Sequence, residues 1–122
     1  MEKRQEIETI LADLRKVGDI EASAIVRRDG LMVASDMPNY VDPRTIAAMT
    51  AALVGTAETS AGELKLGGFG QVIVECGEGK LVATGAGEQA LIACLVGRNA
   101  NLGLVLLSME KASAQVKKIL SG

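Results

Sequence analysis

The chain has 122 residues, 48% of them hydrophobic but only 2% aromatic, with no histidine and a formal net charge of −2. That size and content suit one domain over residues 1–122 with an aliphatic core, and exclude a disordered chain. The weak negative charge, with a single Phe and a single Tyr, leaves neither a basic field nor a stacking platform for nucleic acid.

Residues 3–17 place Ile7, Ile10, Leu11, Leu14 and Val17 at helical spacing among Glu, Lys and Arg, which predicts an amphipathic surface helix ended by Gly18. Two short runs rich in Ile, Val and Leu follow, Ser23 to Arg28 and Leu31 to Ser35. Asp29-Gly30 joins them, and this dipeptide predicts a hairpin with a two-residue turn. After a polar loop, Asp42-Pro43 offers an N-cap with Pro at the first helical position, opening a second helix that reaches about Leu64.

Gly67-Gly68 breaks that helix, and three strands are predicted at Phe69 to Cys76, Lys80 to Thr84 and Gln89 to Gly97. Their connections, Gly77-Glu78-Gly79 and Gly85-Ala86-Gly87-Glu88, are short enough to force antiparallel neighbours. Arg98 to Asn101 then caps a last helix running to Leu120, with Leu104, Leu107, Val116, Ile119 and Leu120 as its apolar members. The order α-β-β-α-β-β-β-α predicts an α+β fold: an open five-stranded antiparallel sheet with helices on its faces. The strand leaving the second helix alternates Val72 and Val74 against Gln71, Ile73 and Glu75, so it has apolar residues on both faces. As an edge it needs a partner.

The second helix points the same way. Thr45 to Ala57 is free of charge. At about 100° per residue, Ile46, Met49, Leu53, Ala57 and Leu64 fall on one face and Ala48, Ala52, Gly55, Thr59 and Gly62 on the opposite one. The large face is expected to meet the sheet, and the small face to meet a second copy of the chain. The run is too short for the roughly 20 residues of a membrane span, so no membrane association is expected. The opening MEKRQEIE has no secretory pattern, which predicts a cytoplasmic protein with Cys76 and Cys94 as reduced, buried, strand-borne hydrophobes.

Catalytic motifs find little support. Without histidine, Ser-His and Cys-His nucleophiles are excluded, and two cysteines without a CxxC do not make a zinc site. Gly85-Ala86-Gly87-Glu88-Gln89-Ala90 matches a dinucleotide fingerprint in spacing, but it precedes a strand where the fingerprint must open a helix. Gly67 to Val72 and Gly79-Lys80 read as turns for similar reasons. Arg27, Arg28, Arg44 and Arg98 qualify as arginines supplied in trans to a nucleotide site by type alone, and ordinary surface charge is the better explanation of them. No cofactor is predicted, and the chain reads as a binding module.

The hairpin Asp29-Gly30-Leu31-Met32-Val33-Ala34-Ser35, the alanine-rich middle helix and Asn101-Leu102-Gly103-Leu104-Val105 together resemble the Roadblock/LC7 family from about Gln5 to Leu120. The likeness is greatest to its prokaryotic, MglB-like branch. It implies a roadblock/profilin-like fold and a homodimer or paralogue heterodimer that pairs middle helices and edge strands into one continuous sheet. The dimer surface would then be Ala48, Ala52, Gly55 and Thr59 with Gln71, Ile73 and Glu75. The resemblance also implies a non-enzymatic platform for a small Ras-like GTPase, with GTPase activation in the MglB-like branch. Two other classes share these features: a small-ligand sensor, and a structural subunit of a larger complex of the dynein-light-chain kind.

Overall fold

The computed structural model describes residues 2–121. Its elements follow the expected order: α1 (Glu2–Arg15), β1 (Ile20–Arg27), β2 (Met32–Asp36), α2 (Pro43–Glu63), β3 (Gln71–Cys76), β4 (Gly79–Ala86), β5 (Ala90–Gly97) and α3 (Leu102–Ser121). One antiparallel sheet has the strand order β2-β1-β5-β4-β3, so the two hairpin groups meet where β1 pairs with β5. α1 and α3 cover one face of this sheet and α2 crosses the other.

The main core lies under α1 and α3. Ile7, Ile10, Leu11 and Leu14 of α1 pack there, as their spacing predicts, against Ile25, Val82 and Ile92 of the sheet. α3 is rotated from expectation. Its buried line is Val105, Met109, Ala112 and Val116, while Leu104 and Leu107 face solvent. That line keeps the i, i+4, i+7, i+11 spacing of one helix face, and it sets a flexible Met and a small Ala close to the strands. Asn101 caps α3 by accepting a 3.1 Å hydrogen bond from the Leu104 N–H, and Asp19 in turn accepts from the Asn101 N–H at 2.7 Å.

The first hairpin departs from a two-residue turn. The Arg27 N–H donates to the Leu31 carbonyl and the Gly30 N–H to the Arg27 carbonyl, enclosing Arg28, Asp29 and Gly30. Only Gly30 takes positive φ, +93°. A two-residue type I′ turn needs positive φ at both central residues, and Asp29 does not supply it, so the loop closes one residue wider with glycine in the left-handed position.

α2 begins as its cap predicts. Asp42 accepts from the Arg44 N–H at 3.0 Å and from the Thr45 hydroxyl at 3.1 Å. Those bonds, the backbone one first, hold the Asp42 carboxyl below the usual carboxylate range. The face that meets the sheet is a correction: it is Ala47, Thr50 and Val54, and not the Ile46, Met49, Leu53 face. Met49 is 55% exposed and Leu64 66%. The strands beneath carry Ala24, Ala83 and Ala93, and small residues on both sides let helix and sheet approach closely.

The cysteines also differ from one another. Cys94 on β5 is buried, and burial pushes its thiol up to about 12. Cys76 is exposed, contrary to expectation, because it closes β3 where no helix lies over it. Among the described residues no helix is long and apolar enough to cross a membrane.

Candidate interaction surface

With Ala47, Thr50 and Val54 turned to the sheet, the exposed arc of α2 carries Ala48, Met49, Ala52, Gly55, Thr56 and Thr59. This arc has no charge before Glu58. Its small side, beginning at Ala48, lies against the β1–β2 loop: a Cβ added to Gly30 would stand 3.7 Å from the Ala48 Cα. Its opposite flank is Ile46, Leu53 and Ala57, all half-buried.

Strand register shows what that flank borders. Along the α2 face the rows nearest the β1–β2 loop, with Val26, Leu91, Ala24, Ala93 and Ala83, are buried. The next row runs from Ala22 through Leu95 and Leu81 to Val74, since Ala22 pairs with Leu95, Leu95 with Leu81 and Leu81 with Val74. Leu95, Leu81 and Val74 are only half-buried, as is Val72 beside Ala83. None of the four joins the two core clusters beneath α2. One helix is too narrow for the whole face, and the uncovered part ends at the β3 edge.

The predicted site residues therefore divide. Ala48, Ala52, Gly55 and Thr59 are all exposed on α2. Gln71, Ile73 and Glu75 are opposite Thr84, Val82 and Lys80, on the α1/α3 side of the sheet. Ile73 packs against the main core and Thr84 is 3.1 Å from Ser113 of α3. Two faces thus separate the two groups, and only the β3 backbone links them. The β3 side chains on the α2 side are Val72 and Val74. Sequence reasoning placed them on the right strand but gave them no role; their alternation with Gln71, Ile73 and Glu75 was the available signal.

The arginines are mostly committed within the fold. Arg28 donates to Glu58 at 2.6 Å and twice to the Gly87 carbonyl, at 3.0 and 3.3 Å, tying α2 to the β4–β5 turn. Gly87 has φ +83°, and a Cβ there would meet Lys117 at 2.8 Å, so glycine is required by both backbone and neighbour. Arg27 pairs with Asp29, and Arg98 donates to the Gly77 carbonyl at 3.5 Å. On the helical face, a groove of about 630 Å³ between α1 and β2 has Ile7, Leu11 and Val33 in its lining, with Arg4 and Glu8 paired at its rim.

Residues 6–96 match the family model described as the Roadblock/LC7 domain. The chain belongs to the Roadblock/LC7 family. An uncharacterized protein of Methanocaldococcus jannaschii, MJ1340, is 36% identical over 111 residues, which cover 91% of this chain and 96% of that protein. Among solved structures, Myxococcus xanthus MglB superposes with a TM-score of 0.90 at 23% identity, covering 99% of this chain and 92% of its own. Acanthamoeba castellanii profilin II superposes at 0.60 with 17% identity, covering 92% and 94%. At these identities the two superpositions establish a shared fold: the roadblock sheet and helices, with the profilin-like layering expected of it.

Proposed function

We propose that this Roadblock/LC7 protein is a cytoplasmic, non-enzymatic homodimer, or a heterodimer with a paralogue, that binds a small Ras-like GTPase and promotes its hydrolysis of GTP. The observation that carries the dimer is the half-covered row Leu95, Leu81 and Val74, continuous with the β3 edge and bordered by an uncharged helix flank. Apolar surface of this kind beside the outer edge of a sheet is what a second copy covers at least cost. Ile46 and Leu53 are half-buried on the side of α2 turned away from the β1–β2 loop, as the row is on the sheet, which supports that flank as the part of α2 nearest the partner. The stripe Ala48, Ala52, Gly55 and Thr59 then forms the outer rim of the contact.

The GTPase reading rests on family membership and on the likeness to MglB. The chain needs no catalytic group for it. A dimer surface that binds the GTPase more tightly when its switch segments are in the hydrolysis-competent arrangement shifts them toward that state. The test is to mix the purified protein with Ras-like GTPases from the same genome and follow both binding and GTP turnover. A complex with faster turnover is expected. Binding at unchanged turnover would favour a structural subunit, and no binding to any of them would reject the proposal.

A further inference from the structure

We infer that α2 is a strap that leaves the sheet as one unit before the rest of the fold opens, and that Arg28 is the latch holding it down. This holds for a single chain and is independent of the dimer proposed above.

The two faces of the sheet hold their helices unequally. α3 buries Val105, Met109, Ala112 and Val116, and its Leu102, Leu106, Ile119 and Leu120 pack against the same core. α2 is as long, yet it buries only Ala47, Thr50 and Val54. Apolar stabilisation scales with the area removed from water, and one valine, one threonine and an alanine remove little. An element with so few buried apolar contacts opens at lower free energy than the whole domain does. Its trailing connection lets it move as a unit. Phe69 packs against the cluster that contains Ala83 and Leu91, but between it and α2 the side chains of Leu64 and Leu66 are exposed, and a Cβ on Gly67 or Gly68 would meet nothing within 4 Å. That stretch can hinge with no packing to break.

One polar tie fixes α2 to the rest. Among the described residues, Glu58 is the α2 side chain that bonds another element, accepting from Arg28 Nη1 at 2.6 Å, whereas the Thr45 and Thr56 hydroxyls bond within the helix and its cap. Arg28 itself belongs to the sheet side. Its backbone N–H donates to the Gln89 carbonyl at 3.2 Å and its Nε and Nη2 both donate to the Gly87 carbonyl. Gly85 leaves the space that the guanidinium fills, since a Cβ there would stand 3.1 Å from Nη2. Three bonds thus anchor the arginine and one reaches the helix, a set that needs a planar fork and that lysine cannot supply. The two side chains are 31% and 35% exposed, so salt screens this pair less than a surface one. Docked, α2 shields Ala24, Val26, Ala83 and Leu91. A partner that spans α2 and the β4–β5 turn keeps the latch closed, and one that takes the Glu58 carboxylate opens it.

Hydrogen exchange read peptide by peptide on the full chain tests this, with the solution mass of every sample measured alongside. In the parent, amides of residues 46–62 are expected to exchange together, about tenfold or more faster than those of residues 105–116 and of β5. Equal rates would mean that α2 opens only with the whole domain, and would overturn the strap. Arg28→Met keeps the apolar stem and removes the fork. It is expected to speed α2 about tenfold further at unchanged mass, with residues 105–116 unaltered. Glu58→Gln changes only the moving half, so it reads the latch even if Arg28→Met does not fold, and is expected to speed α2 about threefold. Arg27→Met, next in sequence but on a residue paired with Asp29, is expected to leave α2 unchanged. The latch is overturned if α2 is unaltered in the Arg28 and Glu58 variants, or if it speeds only together with residues 105–116 or with a fall in mass.

Discussion

The sheet has two edges, and they are built differently. β2 is short, its register against β1 slips between Ile25 and Val26, and Arg15 bonds Asp36 at 3.1 Å while donating to the Glu21 carbonyl, tying its end to α1 and β1. β3 runs in unbroken register with β4, with neither proline nor lysine, and presents half-buried Val72, Ile73 and Val74. Bulges, short length and charge are the usual means by which a protein prevents a free edge from recruiting another chain. β2 has the bulge and the tied end, and β3 has neither and carries only Glu75 as a charge, although both belong to the same sheet. The contrast supports the proposal that β3 is the edge left open for pairing, and the half-covered row beside it extends that surface onto the α2 face.

The largest effect expected from this contrast is on association. Val74→Lys puts a charge in the apolar row at the β3 edge and should weaken the dimer about 30-fold or more, the size of an interface hot spot. Val33→Lys, the matching change on β2, should leave the mass measured by sedimentation unchanged. Equal loss in both variants would erase the distinction between the edges.

A smaller effect tests the hairpin that carries β3. A Cβ on Gly79 would stand 2.7 Å from the Val96 carbonyl oxygen, a backbone atom of the strand beyond, whereas one on Gly77 meets nothing within 4 Å. Gly79→Ala should therefore cost about 1 to 3 kcal/mol in denaturant unfolding, as overpacking does, and Gly77→Ala close to nothing.

The smallest effect separates the two thiols. Cys76 should react with a thiol reagent at once, and Cys94 only on the timescale of unfolding. Because burial raises the Cys94 thiol from 9.0 to about 12, the folded state holds its proton more tightly than the unfolded chain does. Its contribution is complete below pH 9 and is lost as pH rises toward 12. Urea midpoints measured across that window should fall less steeply in Cys94→Ala than in the parent chain.

Much of the molecule was legible from residues alone. Strongly charged neighbours marked the buried face of α1, Asp42-Pro43 marked the start of α2, and short glycine connections set the hairpins and left β3 at an edge. Family resemblance supplied the platform reading, which spacing could not. Where neighbours carried no charge, periodicity misled. α2 offered two nearly equivalent apolar faces, and the larger was assigned to the sheet; the small Ala47 and Thr50 lie there instead. The same bias chose Leu104 and Leu107 on α3 over Met109 and Ala112. The first hairpin loop was one residue wider than its dipeptide suggested, because only Gly30 adopts the left-handed backbone.

Sequence by itself determined the elements, their order and the need of an uncharged helix and an apolar edge for additional cover, since caps, turns and alternation act over a few neighbouring residues. Only the tertiary structure decided which side chains remain uncovered. Burial depends on the shape of whatever packs from elsewhere in the chain, and on the α2 face that shape is a single helix seated on alanines, narrower than the sheet it crosses.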